Sequence, residues 1–215
     1  MKESTPREQI LTKIRNALIE KTSLPYPDVD ISSSVLKPID EKEGLEVAFA
    51  KALIQAGGQF VYCENEHQFL GYLQTLMQER GWDTIWTQSN KVKQVLKAGE
   101  LSFAEVSGKD SKQLVGLTDC ERLIAQNGSI VLSDQKSGSR MAIAFPEVQL
   151  VMGYASQVVS TLKTALQDIR QFYPDTLPSQ LVFITGPSRT ADIEKTLVMG
   201  AHGPKELILF LIDDI

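Results

Sequence analysis

The residues best equipped for chemistry in this chain sit where short apolar runs give way to loops. Directly after the apolar run Leu181-Val-Phe-Ile184 comes Thr185-Gly-Pro-Ser-Arg-Thr-Ala-Asp-Ile-Glu194. Gly186 lets a backbone or ligand come close, and Pro187 stiffens the turn. Ser188 or Thr190 is placed to cap a following helix, whose first free amides form an anion site. Arg189 adds a planar fork that grips a carboxylate or phosphate at two points. The competing explanation is structural: a well-capped turn, with Asp192 and Glu194 complementing the helix dipole and Arg189 paired to a neighbouring acid. The residues alone do not decide between the two. The loop is not a Walker sequence, because no Gly-Lys-Ser/Thr follows, and Gly-x-Gly-x-x-Gly occurs nowhere in the chain.

Two further loops carry donors. In Gly200-Ala-His-Gly-Pro204 little bulk hides His202, which can carry a proton or orient an acid; a histidine bonded only to its own loop is the commoner case. The turn Gln126-Asn-Gly-Ser129 is followed, after one apolar strand, by the polar stretch Ser133-Asp-Gln-Lys-Ser-Gly-Ser-Arg140. Asn127-Gly128 is good turn chemistry in its own right, and Lys136 and Arg140 are either solvated loop charges or a second pair of hands for an anion.

The elements that must position these loops alternate along the chain. Thr5, Pro6 and Glu8 predict a capped leading helix with Ile10, Leu11, Ile14, Ala17 and Leu18 on one stripe. Residues 21–43, with three prolines and a serine triplet, read as an extended connector, so residues 1–43 form a helical arm and 44–215 the main domain. From there the spacing predicts helices over 45–56, 66–80, 89–97, 118–126, 158–169 and 190–199. Strands are predicted over 59–63, 84–86, 102–106, 129–133, 148–152, 181–184 and 207–212. Continuous apolar strands between amphipathic helices mean an open, mostly parallel sheet covered on both faces, a three-layer α/β/α fold. Ligands in such folds collect beyond the carboxyl ends of the strands.

Composition narrows the function classes. With 22 basic and 27 acidic side chains, the net charge of −5 argues against broad attraction to nucleic acid or anionic membranes. The longest apolar stretch, Leu207 to Ile212, is far short of a membrane span, and the first residues lack a signal peptide's apolar core, so a cytoplasmic location is expected. Cys63, Cys120, His67 and His202 are the whole supply of thiols and imidazoles. No zinc or iron–sulfur spacing can be assembled from them, so this chain is expected to bind no metal cofactor, and any redox metal would sit on a partner.

The pattern Gly186-Pro-Ser-Arg-Thr-Ala-Asp-Ile-Glu194, with Leu197-Val198, Gly200 and His202-Gly-Pro204, is similar to the signature of the LUD domain, found in the bacterial lactate utilization protein C family. Gly116-Leu-Thr118, Cys120-Glu121, Ile124-Ala125 and Gly128-Ser129 with Ile130-Val-Leu132 resemble its second motif. Arg140 to Pro146 resembles the arginine-to-proline stretch after it. The resemblance covers about residues 45–213. It implies the fold shared by ribose-5-phosphate isomerase, glucosamine-6-phosphate deaminase and the CoA transferases. It also implies a part in oxidising L-lactate to pyruvate beside partner proteins that carry iron–sulfur clusters.

Two positions depart from the family. Gln126 stands where relatives carry glutamate in Glu-Thr-Gly-Thr, and Gln149 stands where they carry a histidine after Pro-x-Val. Neither amide transfers a proton near neutral pH. Either this member binds the ligand without turning it over, or its proton carrier is Glu121, Asp192, Glu194 or His202, around a pocket made of Gly186 to Thr190, Arg140, His202 and the 126–129 turn. Two other readings stay open: a stand-alone transferase or isomerase acting on an acyl-CoA or sugar phosphate, and a non-catalytic scaffold whose leading helix docks the iron–sulfur partners. That helix could equally pack on its own chain, and the oligomeric state is open.

Overall fold

The computed structural model of the chain describes residues 5–19, 39, 43–105, 115–139, 142–143, 146–191, 197–200 and 203–215. The chain divides into two compact units, Met1–Val35 and Leu36–Ile215. In the first, α1 (Pro6–Ile19) starts on the expected capping box. The Glu8 amide donates to Thr5 Oγ1 at 3.3 Å, and the Thr5 amide donates back to Glu8 Oε2 at 2.8 Å. Its apolar residues Ile10, Ile14, Leu18 and Ile19 are exposed.

The second unit runs α2 (Leu45–Gln55), β1 (Gln59–Cys63), α3 (Glu66–Arg80), β2 (Ile85–Trp86), α4 (Asn90–Ala98), β3 (Phe103–Ala104), β4 (Val115–Asp119), β5 (Arg122–Ile124) and β6 (Ser129–Ser133). It continues with β7 (Val148–Tyr154), β8 (Val158–Val159), α5 (Leu162–Phe172), β9 (Leu181–Ile184), β10 (Arg189–Ala191), β11 (Leu197–Met199) and β12 (Glu206–Ile212). Six strands form one parallel sheet in the order β1-β12-β7-β4-β2-β3.

Alternation along the central strands builds two cores at once. Ile208, Phe210 and Ile212 of β12, with Leu150 and Met152 of β7, pack against Phe69 and Leu73 of α3 and Val92, Val95 and Leu96 of α4. Leu207, Leu209 and Leu211, with Val151, face the other way, onto Phe49 and Leu53 of α2 and onto Leu123, Ile130 and Leu132. The three-layer α/β reading therefore holds, but the second face is covered by α2 together with a small four-stranded sheet, β8-β5-β6-β9. Helix α5 packs Ala165 and Ile169 on the far side of that sheet, against Ile124, Val131 and Val159.

Three expectations change. The helix over 118–126 is instead the end of β4 followed by β5: Cys120, Leu123 and Ile124 mimic a helical spacing, but every residue of β4 is buried and its length is paired to β7. Where a helix is expected over 190–199, the described residues form an antiparallel strand pair, with Arg189 opposite Met199, Thr190 opposite Val198 and Ala191 opposite Leu197. Its base is closed by the Gly200 amide donating to the Ser188 carbonyl at 3.0 Å, with Gly200 at φ 75°. The helix expected over 158–169 starts later, at Leu162, because Val158–Val159 pairs with β5.

The strands β6 and β9 are the consequential case. Both are apolar runs, as expected, yet they lie antiparallel to each other in the small sheet. A continuous apolar run does not distinguish a parallel from an antiparallel partner. The loop after β9 consequently arrives at the amino ends of β1 and β12, not at the carboxyl edge of the parallel sheet.

Candidate functional site

Gln180 and residues Val182 to Arg189 line a cleft of about 610 Å³ together with Ala56, Ile143, Gly203 and Pro204. Strand β9 supplies the wall, the end of α2 and the entry to β12 supply the floor, and backbone packing fixes the loop. Gly186, at φ 77°, lies so close to α2 that a Cβ there would fall 2.2 Å from the Ala56 carbonyl oxygen. The Ser188 amide donates to the Pro204 carbonyl at 2.8 Å. Gly203 sits against Ser188, leaving 3.2 Å between a built Cβ and the serine Cβ. The two halves of the signature, 186–189 and 203–204, thus share one wall.

Arg189 reaches back across the end of α2. Its Nη2 donates to the Ala56 carbonyl at 3.3 Å and lies where a Gly57 side chain would begin. The side chain is exposed, and it is the only charged group among the described residues lining the cleft. The carbonyl at a helix C-terminus takes one N–H of the fork.

The 126–129 turn joins from below. Ser129 and Thr185 hydroxyls are 2.5 Å apart, and Asn127 Oδ1 accepts from the Ser129 amide at 3.1 Å. Gly128, at φ 69°, presses on α2, where a Cβ would lie 2.3 Å from the Leu53 nitrogen. Gln126 is half-buried, its backbone N–H donating to the Ser160 carbonyl at 3.1 Å. Gln149 is fully buried; its Nε2 donates to Thr118 Oγ1 at 3.0 Å and ties β7 to β4. Chemically, the cleft offers one guanidinium and the hydroxyls of Thr185 and Ser188. Because strand β10 begins at Arg189, helix amides expected there to hold an anion are absent among the described residues.

Arg140, Asp192, Glu194 and His202 lie outside the described residues, and of Thr190 only the backbone pairing is described. Glu121 is elsewhere. It lies past the carboxyl end of β4 and bonds Ser133, which pairs with Leu181 at the start of β9, whereas Gly186 to Arg189 lie beyond the other end of that strand.

There Glu121 is buried, and its Oε1 accepts from the Ser133 hydroxyl at 2.5 Å and the Tyr173 hydroxyl at 2.8 Å. Lys136 Nζ stands 3.3 Å from Oε2 and 3.3 Å from the Cys120 carbonyl. Burial, then the Glu121 hydrogen bond, pushes the Tyr173 phenol up; burial also pushes up the Cys120 thiol and the Asp119 carboxyl. Asp119, Tyr173 and Gln157, whose Nε2 donates to the Cys120 carbonyl at 2.6 Å, were not read as site residues from sequence. The helix expected over 118–126 hid the fact that Asp119 ends a central strand.

Comparisons with known proteins agree with this architecture. A family model described as the LUD domain matches residues 47–212. Lactate utilization protein C of Bacillus subtilis (strain 168) is 36% identical over 102 residues, 46% of this chain and 42% of that protein. Lactate utilization protein C of Bacillus velezensis is 30% identical over 149 residues, 66% of this chain and 57% of that protein. The chain spans about half the length of the curated relatives it matches. A crystal structure of a DUF162 family protein from Deinococcus radiodurans superposes with a TM-score of 0.58 at 16% identity, over 81% of this chain and 99% of that one, a likeness of fold. With the LUD match running through both the parallel sheet and the loops of the cleft, the chain belongs to the LUD domain family.

Proposed function

We propose that this chain serves lactate utilization as a subunit of an L-lactate-oxidising system, and that it binds a small carboxylate in the cleft beside β9. The name carried by its relatives, lactate utilization protein C, supports the pathway. The observation that carries the site is the convergence of Gly186 to Arg189 with Gly203-Pro204 around a single guanidinium. Arg189 holds the carboxylate, and the Ser188 and Thr185 hydroxyls orient the rest of the ligand. Electrons leave through partner proteins that bear iron–sulfur clusters.

Titration of the purified chain with L-lactate, pyruvate and a sugar phosphate tests the reading. Saturable binding of the carboxylates, weakened at least about tenfold in an Arg189→Ala variant, is expected from loss of a charged hydrogen-bonding fork. Equal binding by wild type and variant overturns the site. Preference for the sugar phosphate, with turnover, favours a transferase or isomerase.

The exposed apolar stripe of α1 favours a docking role for the arm in addition. Removal of residues 1–40 should abolish co-purification with the iron–sulfur partners while the main unit stays folded. Unchanged co-purification removes that role.

A further inference from the structure

The carboxyl edge of the parallel sheet holds a set of polar groups that the cleft does not use. Asp119 ends β4 and is 8% exposed, and its Oδ1 has no hydrogen-bond partner among the described residues. A buried carboxyl oxygen without a donor is uncommon and costly unless something else meets it. The side chain shares a face of the strand with Val115 and Leu117, the face covered by α4. Ser89, the N-cap of α4, is buried and lies within hydrogen-bonding reach of Asp119.

We propose that this edge is a second ligand site, in which Asp119 meets the carbonyl or hydroxyl oxygen of a small anion whose charge faces the N-terminus of α4. Open parallel sheets offer their ligand crevice at this edge, and a nine-residue helix pointing its N-terminus there favours negative charge. Lys136, nearby, has a quarter of its side chain in solvent and is paired with Glu121, which is 1% exposed.

The surrounding charges leave Asp119 as the deciding group. Glu121 is matched by Lys136, and Glu66, at the start of α3, is matched by Lys91 of α4 at 2.9 Å. Tyr154, at the end of β7, donates to Glu66 Oε1 at 2.5 Å, and Asp214, after β12, is engaged by the Ser156 amide and hydroxyl. Cys120 and Tyr173 are neutral, both held up by burial. Burial likewise favours the protonated form of Asp119, against the opposing pull of Ser89 and Lys136. Protonated, it donates to a ligand oxygen; ionised, it repels an anion.

The experiment is a pyruvate titration of the full chain followed by NMR at Ser89, Lys136 and Arg189, repeated at several pH values. Perturbation at Ser89 and Lys136 is expected, with affinity falling about tenfold per pH unit above the Asp119 titration, since only the protonated fraction binds. Asp119→Asn keeps a donor and cannot ionise, so its binding at this edge should be independent of pH. Perturbation confined to the β9 cleft, or an Asn variant that follows the wild-type pH profile, overturns the proposal. The Arg189→Ala variant separates the two sites. Edge signals that persist in it support this site whatever becomes of the cleft, and edge signals that vanish with the cleft signals overturn it.

Discussion

The two ends of the parallel sheet are built by opposite means. At the amino end, glycine backbones and carbonyls make the cleft: Gly186 against Ala56, Gly128 against Leu53, Ser188 against Pro204, with Arg189 laid over the top. At the carboxyl end, side chains do the work: Glu121 with Ser133, Tyr173 and Lys136, and Asp119 beside Ser89. A backbone-built site holds its shape when an exposed side chain is exchanged. A network of buried charges does not, because any member removed leaves its partner unmatched. Recognition and stability are therefore separable at the amino end and fused at the carboxyl end.

The largest effect is expected from Lys136→Met, which strips the counter-charge from Glu121 in a site where the carboxylate is 1% exposed. Breaking one side of such a pair should cost about 3 kcal/mol, read as a shift in the urea unfolding midpoint. A loss below about 1 kcal/mol would mean that the two hydroxyls suffice to hold Glu121. Next comes Gly128→Ala, which tests the backbone-built end. Its Cβ would lie 2.3 Å from the Leu53 nitrogen at a φ of 69°, and about 2 to 3 kcal/mol of destabilisation is expected. Gly71→Ala is the matched control. It lies within α3 with nothing within 4 Å of a built Cβ, so it should stabilise by about 0.5 to 1 kcal/mol.

How much of this was legible follows from how local each signal is. The capping residues Thr5, Asn65, Ser89 and Thr161 each accept from an amide three residues on, and the helices they start were readable. So was Leu207 to Ile212 as a central strand. The signature loops were legible as a cluster too, since turn glycines declare themselves. What the sequence hid is pairing. Thr190 and Val198 meet across an antiparallel strand pair in a stretch whose Asp192 and Glu194 read as helical, and β9 pairs antiparallel with β6 across about 50 residues of chain. The Tyr173 to Glu121 bond joins residues 52 apart, with no spacing rule to announce it. The tertiary fold overrode local propensity at those points.

The two carboxyls at the carboxyl end should give opposite pH signatures. Burial raises the folded-state value of Asp119 above the unfolded one, about 3.9. Its contribution to stability is present below that unfolded value and is lost as pH rises through the raised one. Glu66 is lowered, first by the Tyr154 hydroxyl and then by Lys91. Its contribution is present above its unfolded value, about 4.3, and is lost as pH falls through the lowered one. Unfolding free energy measured against pH should therefore lose its neutral-side decline in Asp119→Asn and its acid-side decline in Glu66→Gln. An Asp119→Asn curve parallel to wild type would show that burial is relieved in solution.

The smallest effect on stability is expected at Arg189. The side chain is exposed and, among the described residues, bonds at 3.3 Å to a helix-end carbonyl that water can also serve. Arg189→Ala should change the unfolding free energy by no more than about 0.5 kcal/mol, while carboxylate binding in the cleft falls at least about tenfold. Arg189→Lys refines the point, since lysine keeps the charge without the fork; binding intermediate between wild type and alanine assigns part of the affinity to two-point contact. If stability and binding fall together instead, the arginine is a brace between α2 and the loop. In that case the amino end is also held by side chains, and the contrast between the two ends of the sheet fails.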